Sequence, residues 1–83
     1  MKQNRLPPDE RRAVIITAAV EIANAKGLGA LAFEDVAENC RVATTKRTIA
    51  NHFKVAELRR AVIDDCRANQ EVLDDAVAMG MRL

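Results

Sequence analysis

The stretch from Val36 to Lys54, VAENCRVATTKRTIANHFK, contains two short helical patterns separated by a turn. In the second pattern Ile49 and Phe53 are four residues apart, so both side chains lie on one helix face and can pack inward. The opposite face is entirely polar and comprises Thr44, Arg47, Asn51 and Lys54. Arginine matches guanine edges and asparagine matches adenine edges in bidentate fashion. The stretch therefore predicts a helix-turn-helix for the DNA major groove, the alternative being a solvated surface helix.

The positions of the polar residues along the second helix predict which of them contact bases and which contact phosphates. Base readout is assigned to Thr44, Arg47, Thr48 and Asn51. Phosphate contacts that fix the helix in register are assigned to Thr45, Lys46, His52 and Lys54. Lys2 and Arg5, in the polar arm before the first helix, are expected either to enter an adjacent minor groove or to form an unbound tail.

Charge is polarised along the chain, although the net charge is only +1. Residues 44–60 hold five basic side chains and one acidic, a net charge of +4, whereas residues 61–83 hold five acidic and two basic, a net charge of −3. A DNA-binding protein needs positive charge on one face rather than a high overall pI. Because the basic block coincides with the second helical pattern, the charge distribution favours double-stranded DNA as a partner.

The composition argues against several other classes of function. With one His and no Ser/His/Asp set, the chain is not expected to be an enzyme, and no cofactor or metal is predicted. Cys40 and Cys66 are too far apart for a CxxC motif, so both are predicted to be small buried hydrophobes in a reducing cytoplasm. No apolar run approaches membrane-spanning length, so no membrane partner is expected.

Helical periodicity and capping residues predict four helices. Their expected bounds are residues 8–26, 32–41, 44–53 with Thr44 or Thr45 as the cap, and 55–81, the last roughly 40 Å long at about 1.5 Å per residue. The corresponding divisions are a basic arm (1–8), a helix-turn-helix domain (9–54) and a dimerisation helix (55–83). A chain of 83 residues without Trp or Tyr has a small core that is only marginally stable alone, which favours a homodimer.

The apolar stripe of the last helix is too long for three short helices to cover. We therefore expect it to pair with the same helix of a second copy, the alternative being a bent or frayed tail. The predicted dimerisation residues are Leu58, Val62, Cys66, Leu73, Val77 and Met81.

Together these elements resemble the N-terminal DNA-binding domain of TetR-family transcriptional repressors over about residues 11–63. The residues that carry the likeness are Arg12–Ala13–Val14–Ile15, Ala18–Ala19, Lys26–Gly27, Val36–Ala37–Glu38, Val42, Thr48–Ile49, His52–Phe53, Glu57–Leu58 and Ala61–Val62. The resemblance implies an all-α, homeodomain-like three-helix domain followed by a long C-terminal dimerisation helix. It also implies a repressor that binds an inverted-repeat operator as a homodimer and blocks promoter access.

The chain departs from this family in three places. Arg41 stands where the family usually has a turn glycine, two extra residues precede His52–Phe53, and Ala50 replaces a common tyrosine. The family's inducer-binding domain has no counterpart, so no small-molecule inducer is expected, and the small size suits a plasmid or phage repressor. The alternative function is a protein-interaction module, such as an anti-repressor, that binds another regulator through the last helix.

Overall fold

The computed structural model describes residues 7–41 and 44–82, and every regular element in these two ranges is helical. The elements are α1 (Pro8–Lys26), a short 3₁₀ helix (Leu28–Ala30), α2 (Phe33–Asn39), α3 (Lys46–His52), α4 (Val55–Asp65) and α5 (Gln70–Ala78). The predicted all-α class is confirmed. Lys2 and Arg5 lie outside the described residues.

Helix α1 has the bounds that the sequence predicts, because both of its ends carry strong local signals. Pro8 starts the helix, where a missing N–H costs nothing, and Asp9 and Glu10 in the first turn favour the helix dipole. Gly27 follows its last residue with φ +90° and ψ 160°, a conformation that ends the helix. The short helices α2 and α3 differ from their predicted bounds by one or two residues at each end.

One aliphatic core joins the helices, with α1 packed against α2 and α4. Its fully buried larger side chains are Ile15, Leu28, Val36, Cys40, Ile49, Leu58, Val62, Ile63 and Val72. Cys40 and Cys66 are both buried and neither is in a disulfide bond, which confirms that part of the cysteine prediction. Burial, and secondarily the charge of Asp65, raises the pKa of the Cys66 thiol. Such a thiol is a packing residue rather than a reactive one.

The prediction of one continuous helix over residues 55–81 is wrong, because the chain turns between Asp65 and Gln70. Asn69 explains the break. Its side-chain oxygen accepts hydrogen bonds from the N–H groups of Glu71 (3.1 Å) and Val72 (3.4 Å), as an N-cap does. Its amide nitrogen also donates to Asn24 Oδ1 on α1, at 2.6 Å. The residue therefore starts a new helix and fixes that start to α1.

The new helix α5 folds back onto the 3₁₀ helix instead of extending away from the domain. Val72 and Ala76 are buried, and Asp75 Oδ2 accepts a hydrogen bond from Leu28 N at 3.1 Å. Through this packing, Val72 and Ala76 of α5 become part of the same core as Leu28.

The return of α5 also revises the predicted dimerisation residues. Leu58, Val62 and Cys66 are at most 4% exposed within the single chain, so they belong to its own core and have no surface to offer a partner. Leu73 and Met81 are partly buried, whereas Val77 is 59% exposed. Only the second half of the predicted stripe therefore remains at the surface.

Gly27 and Gly29 provide a matched test of the junction between α1 and α5. A Cβ at Gly27 would lie 2.9 Å from Asp75 Oδ2 on a backbone with φ +90°, whereas a Cβ at Gly29 would meet nothing within 4 Å. We expect Gly27→Ala to lower the free energy of unfolding by about 1–3 kcal/mol. Gly29→Ala should be neutral or stabilising by up to about 1 kcal/mol. Urea unfolding of both variants measures this difference. Equal unfolding midpoints would contradict the close approach of Gly27 to Asp75 at the junction.

Candidate nucleic-acid interface

The start of α3 is fixed by two threonines. Thr45 is the N-cap, and its Oγ1 accepts a hydrogen bond from Thr48 N at 3.1 Å, so the predicted threonine cap is confirmed. The hydroxyl groups of Thr45 and Thr48 are also 3.0 Å apart and share a hydrogen bond. Both hydroxyls are thus occupied in holding the first turn, while Thr44 precedes the helix and is half-buried.

The inward face of α3 is the one that the sequence predicts. Ile49 and Phe53 are buried in the core, and they are the side chains through which the helix packs on the domain. Because these two residues fix the rotation of α3 about its axis, they also decide which side chains point outward.

Arg12 of α1 holds the other end of α3. Its guanidinium group lies over the Phe53 ring, 4.3 Å from the centroid, and its Nη1 donates to the carbonyl oxygen of His52 at 2.9 Å. Carbonyl groups in the last turn of a helix lack intrahelical partners and carry partial negative charge. The arginine thus combines a cation–π contact with a hydrogen bond to such a carbonyl.

The outward face of α3 presents Arg47 and Asn51, one helical turn apart and both exposed. Their Cβ atoms are therefore about 5–6 Å apart, the spacing of neighbours on a helix surface. Lys54, also exposed, is the N-cap residue of α4, and its backbone N–H donates to Glu57 Oε1 at 3.2 Å. Thr48 and His52 flank this surface and are half-buried.

Lys46, a predicted phosphate contact, already has a partner in the protein. Its Nζ lies 3.4 Å from Glu34 Oε1 on α2, and both side chains are largely exposed. The sequence indicates nothing of this pair, because the two residues are twelve positions apart and belong to different helices.

The helix that precedes α3 is also tied to the core. Asn39, the last residue of α2, donates from Nδ2 to Ala18 O (3.2 Å) and to Glu21 Oε2 (2.9 Å), both on α1. In the described part of the chain no residue other than glycine has a positive φ. The backbone at Arg41 therefore does not adopt the left-handed conformation that a tight glycine turn requires.

Three further features of the described residues concern metal ions, the bilayer and a surface groove. No group of three or more His, Cys, Asp or Glu side chains within them is arranged to hold a metal ion. None of their helices is long and apolar enough to cross a bilayer. The charged residues that line an open groove between α1 and α2 are Glu21, Asp35, Glu38 and Lys26, and their net negative charge disfavours a nucleic-acid backbone there.

Arg12 can be tested by a substitution that preserves its charge. Lysine lacks the planar fork that stacks on an aromatic ring while it donates a hydrogen bond. We expect Arg12→Lys to lower the free energy of unfolding by about 1 kcal/mol through the lost ring contact. Arg47→Lys, on the exposed face, is the control and should leave stability unchanged. Urea unfolding of the two variants measures these free energies. An Arg12→Lys protein as stable as the wild type would show that the arginine does not anchor α3.

Comparison with known proteins leaves this surface to be interpreted from its own chemistry. No family model, curated protein or solved structure matches the chain.

Proposed function

We propose that this protein is a cytoplasmic, TetR-like transcriptional repressor that binds double-stranded DNA through the outward face of α3. The observation that carries the proposal is the division of α3 into two faces. Ile49 and Phe53 are buried, whereas Arg47 and Asn51 are exposed on a short helix whose two ends are held by Thr45 and Arg12. A rigid helix with outward arginine and asparagine side chains suits base recognition in a major groove.

Base readout is assigned to Arg47 and Asn51, which carry bidentate hydrogen-bonding groups. Thr44 and Thr48 lie beside them, although the hydroxyl of Thr48 already bonds to Thr45. Lys54 follows the helix and is exposed, as a phosphate contact must be. The further phosphate contacts in the proposal are Thr45, Lys46 and His52.

Operator binding in this proposal requires two copies of the chain. Twofold symmetry places two recognition helices in successive major grooves, about 34 Å apart, so the operator is an inverted repeat. The surface proposed for pairing is the outer side of α5, where Leu73 and Val77 are one turn apart and keep some exposure. Met81, which is partly buried, follows the end of this helix. Repression then follows from occlusion of a promoter by the bound dimer.

A protein-interaction module is the second candidate, and exposed apolar residues near the C-terminus favour it. Val77 and Met79 are exposed large hydrophobic residues in a segment, residues 61–83, that has a net charge of −3, with five acidic and two basic side chains. An apolar helix-pairing surface is nearly indifferent to salt, whereas DNA binding weakens steeply with it. The salt dependence of binding to duplex DNA therefore separates the two functions.

Two substitutions on the proposed DNA surface should have different effects. Arg47→Ala should cost about 1–3 kcal/mol at the preferred site and relax the preference at one base pair. Lys54→Ala should weaken all sequences to a similar extent and flatten the slope of log affinity against log salt by about 0.9 for each lost phosphate contact. Fluorescence anisotropy with specific and scrambled duplexes, from about 50 to 200 mM salt, measures both effects. If Arg47→Ala changes neither affinity nor preference, α3 does not read bases.

The proposed pairing surface is tested by a charge in its centre. Val77→Glu places a carboxylate among the apolar side chains of α5 and should convert a dimer into a monomer in sedimentation experiments. Ala78→Glu is the matched control. Ala78 is also exposed, but it lies on another side of the helix, where it lines a surface pocket together with Gly29 and Ala30. This substitution should leave the dimer intact. A wild-type protein that is monomeric at every concentration would overturn the pairing surface.

A further inference from the structure

An ion pair lies at the edge of the proposed DNA surface and joins α3 to α2. Lys46 Nζ is 3.4 Å from Glu34 Oε1, and the lysine belongs to α3 whereas the glutamate belongs to α2. The side chains are 65% and 72% exposed, respectively. Exposed pairs of this kind contribute about 0–1 kcal/mol to stability, so holding the fold together explains little of this one.

The position of the pair gives it an electrostatic effect on DNA binding. Lys46 is adjacent to Arg47 in the chain and begins the helix that the proposed function lays along the duplex. A carboxylate 3.4 Å from that ammonium group offsets part of its positive charge in the free protein. The same carboxylate lies well within one Debye length, about 8 Å at physiological salt, of any phosphate that Lys46 would contact, so it repels that phosphate.

We propose that Glu34 restrains sequence-independent DNA binding by competing with DNA phosphate for Lys46. The inference rests on the proposed function and deepens it. Contacts between basic side chains and phosphate supply essentially all of non-specific affinity. A carboxylate that occupies one of the contacting lysines lowers this background, which leaves a larger share of the binding free energy to base contacts from Arg47 and Asn51.

Glu34 is a positioning residue in this scheme, because it acts through Lys46 and makes no contact with DNA itself. Removal of its charge should free Lys46 for phosphate. We expect Glu34→Gln to raise the affinity for a random duplex several-fold and to steepen the slope of log affinity against log salt by up to about 0.9, the value for one phosphate contact.

Glu38 supplies the matched control. It is exposed on the same helix and lines the groove between α1 and α2, and Glu38→Gln changes the net charge by the same amount. That variant should change affinity much less and leave the slope as in the wild type. In a Lys46→Ala background Glu34→Gln should lose most of its effect, because the residue through which it acts is gone.

The experiment measures anisotropy of a labelled random duplex with the 83-residue chain and these variants, from about 50 to 200 mM salt. The inference is overturned if Glu34→Gln and Glu38→Gln behave alike, or if the effect of Glu34→Gln persists without Lys46. In either case a wild-type protein that binds with steep salt dependence still supports the proposed function. Salt-insensitive behaviour or no binding by every variant would instead remove the proposed function, and this inference with it.

Discussion

The contact of Arg12 with the C-terminal end of α3 joins the core of the molecule to its proposed DNA surface. The guanidinium group rests on the ring of Phe53, which is itself buried, and donates to the carbonyl oxygen of His52. A seven-residue helix has too few internal hydrogen bonds to persist alone in water. Its order therefore depends on burial of its inner face, on the Thr45 cap at its start and on Arg12 at its end.

A second constraint is the small size of the core, which the chain meets by folding back on itself. Asn69 caps the start of α5 after α4 has ended at Asp65, and Asp75 accepts a hydrogen bond from the backbone N–H of Leu28. This arrangement buries Val72 and Ala76 against the domain. As a result, side chains that a dimer would otherwise cover, such as Leu58 and Val62, are already covered within one chain. The apolar surface that remains for the proposed dimer is the smaller one around Val77.

The parts of the fold that the sequence predicts well are those set by local signals. Pro8 and Gly27 define α1, and the four-residue spacing of Ile49 and Phe53 gives the rotation of α3. The continuous last helix was a wrong prediction because Cys66 and Leu73 keep helical spacing across the turn, although polar residues between 67 and 71 interrupt the apolar stripe there. The periodicity gives little weight to Asn69, whose side chain both caps α5 and binds Asn24, 45 residues away. The contacts of Arg12 with Phe53 and of Lys46 with Glu34 were missed because each joins different helices. The DNA contacts remain predictions.

The most direct test of the central claim is selection of bound sequences from a random duplex library by the purified wild-type protein at about 150 mM salt. The account predicts enrichment of an inverted repeat whose half-sites are centred about ten base pairs apart, the spacing of two recognition helices in successive major grooves. Failure to enrich any sequence, by a protein shown to be folded, would contradict it and would point to a protein partner for the surface of α5.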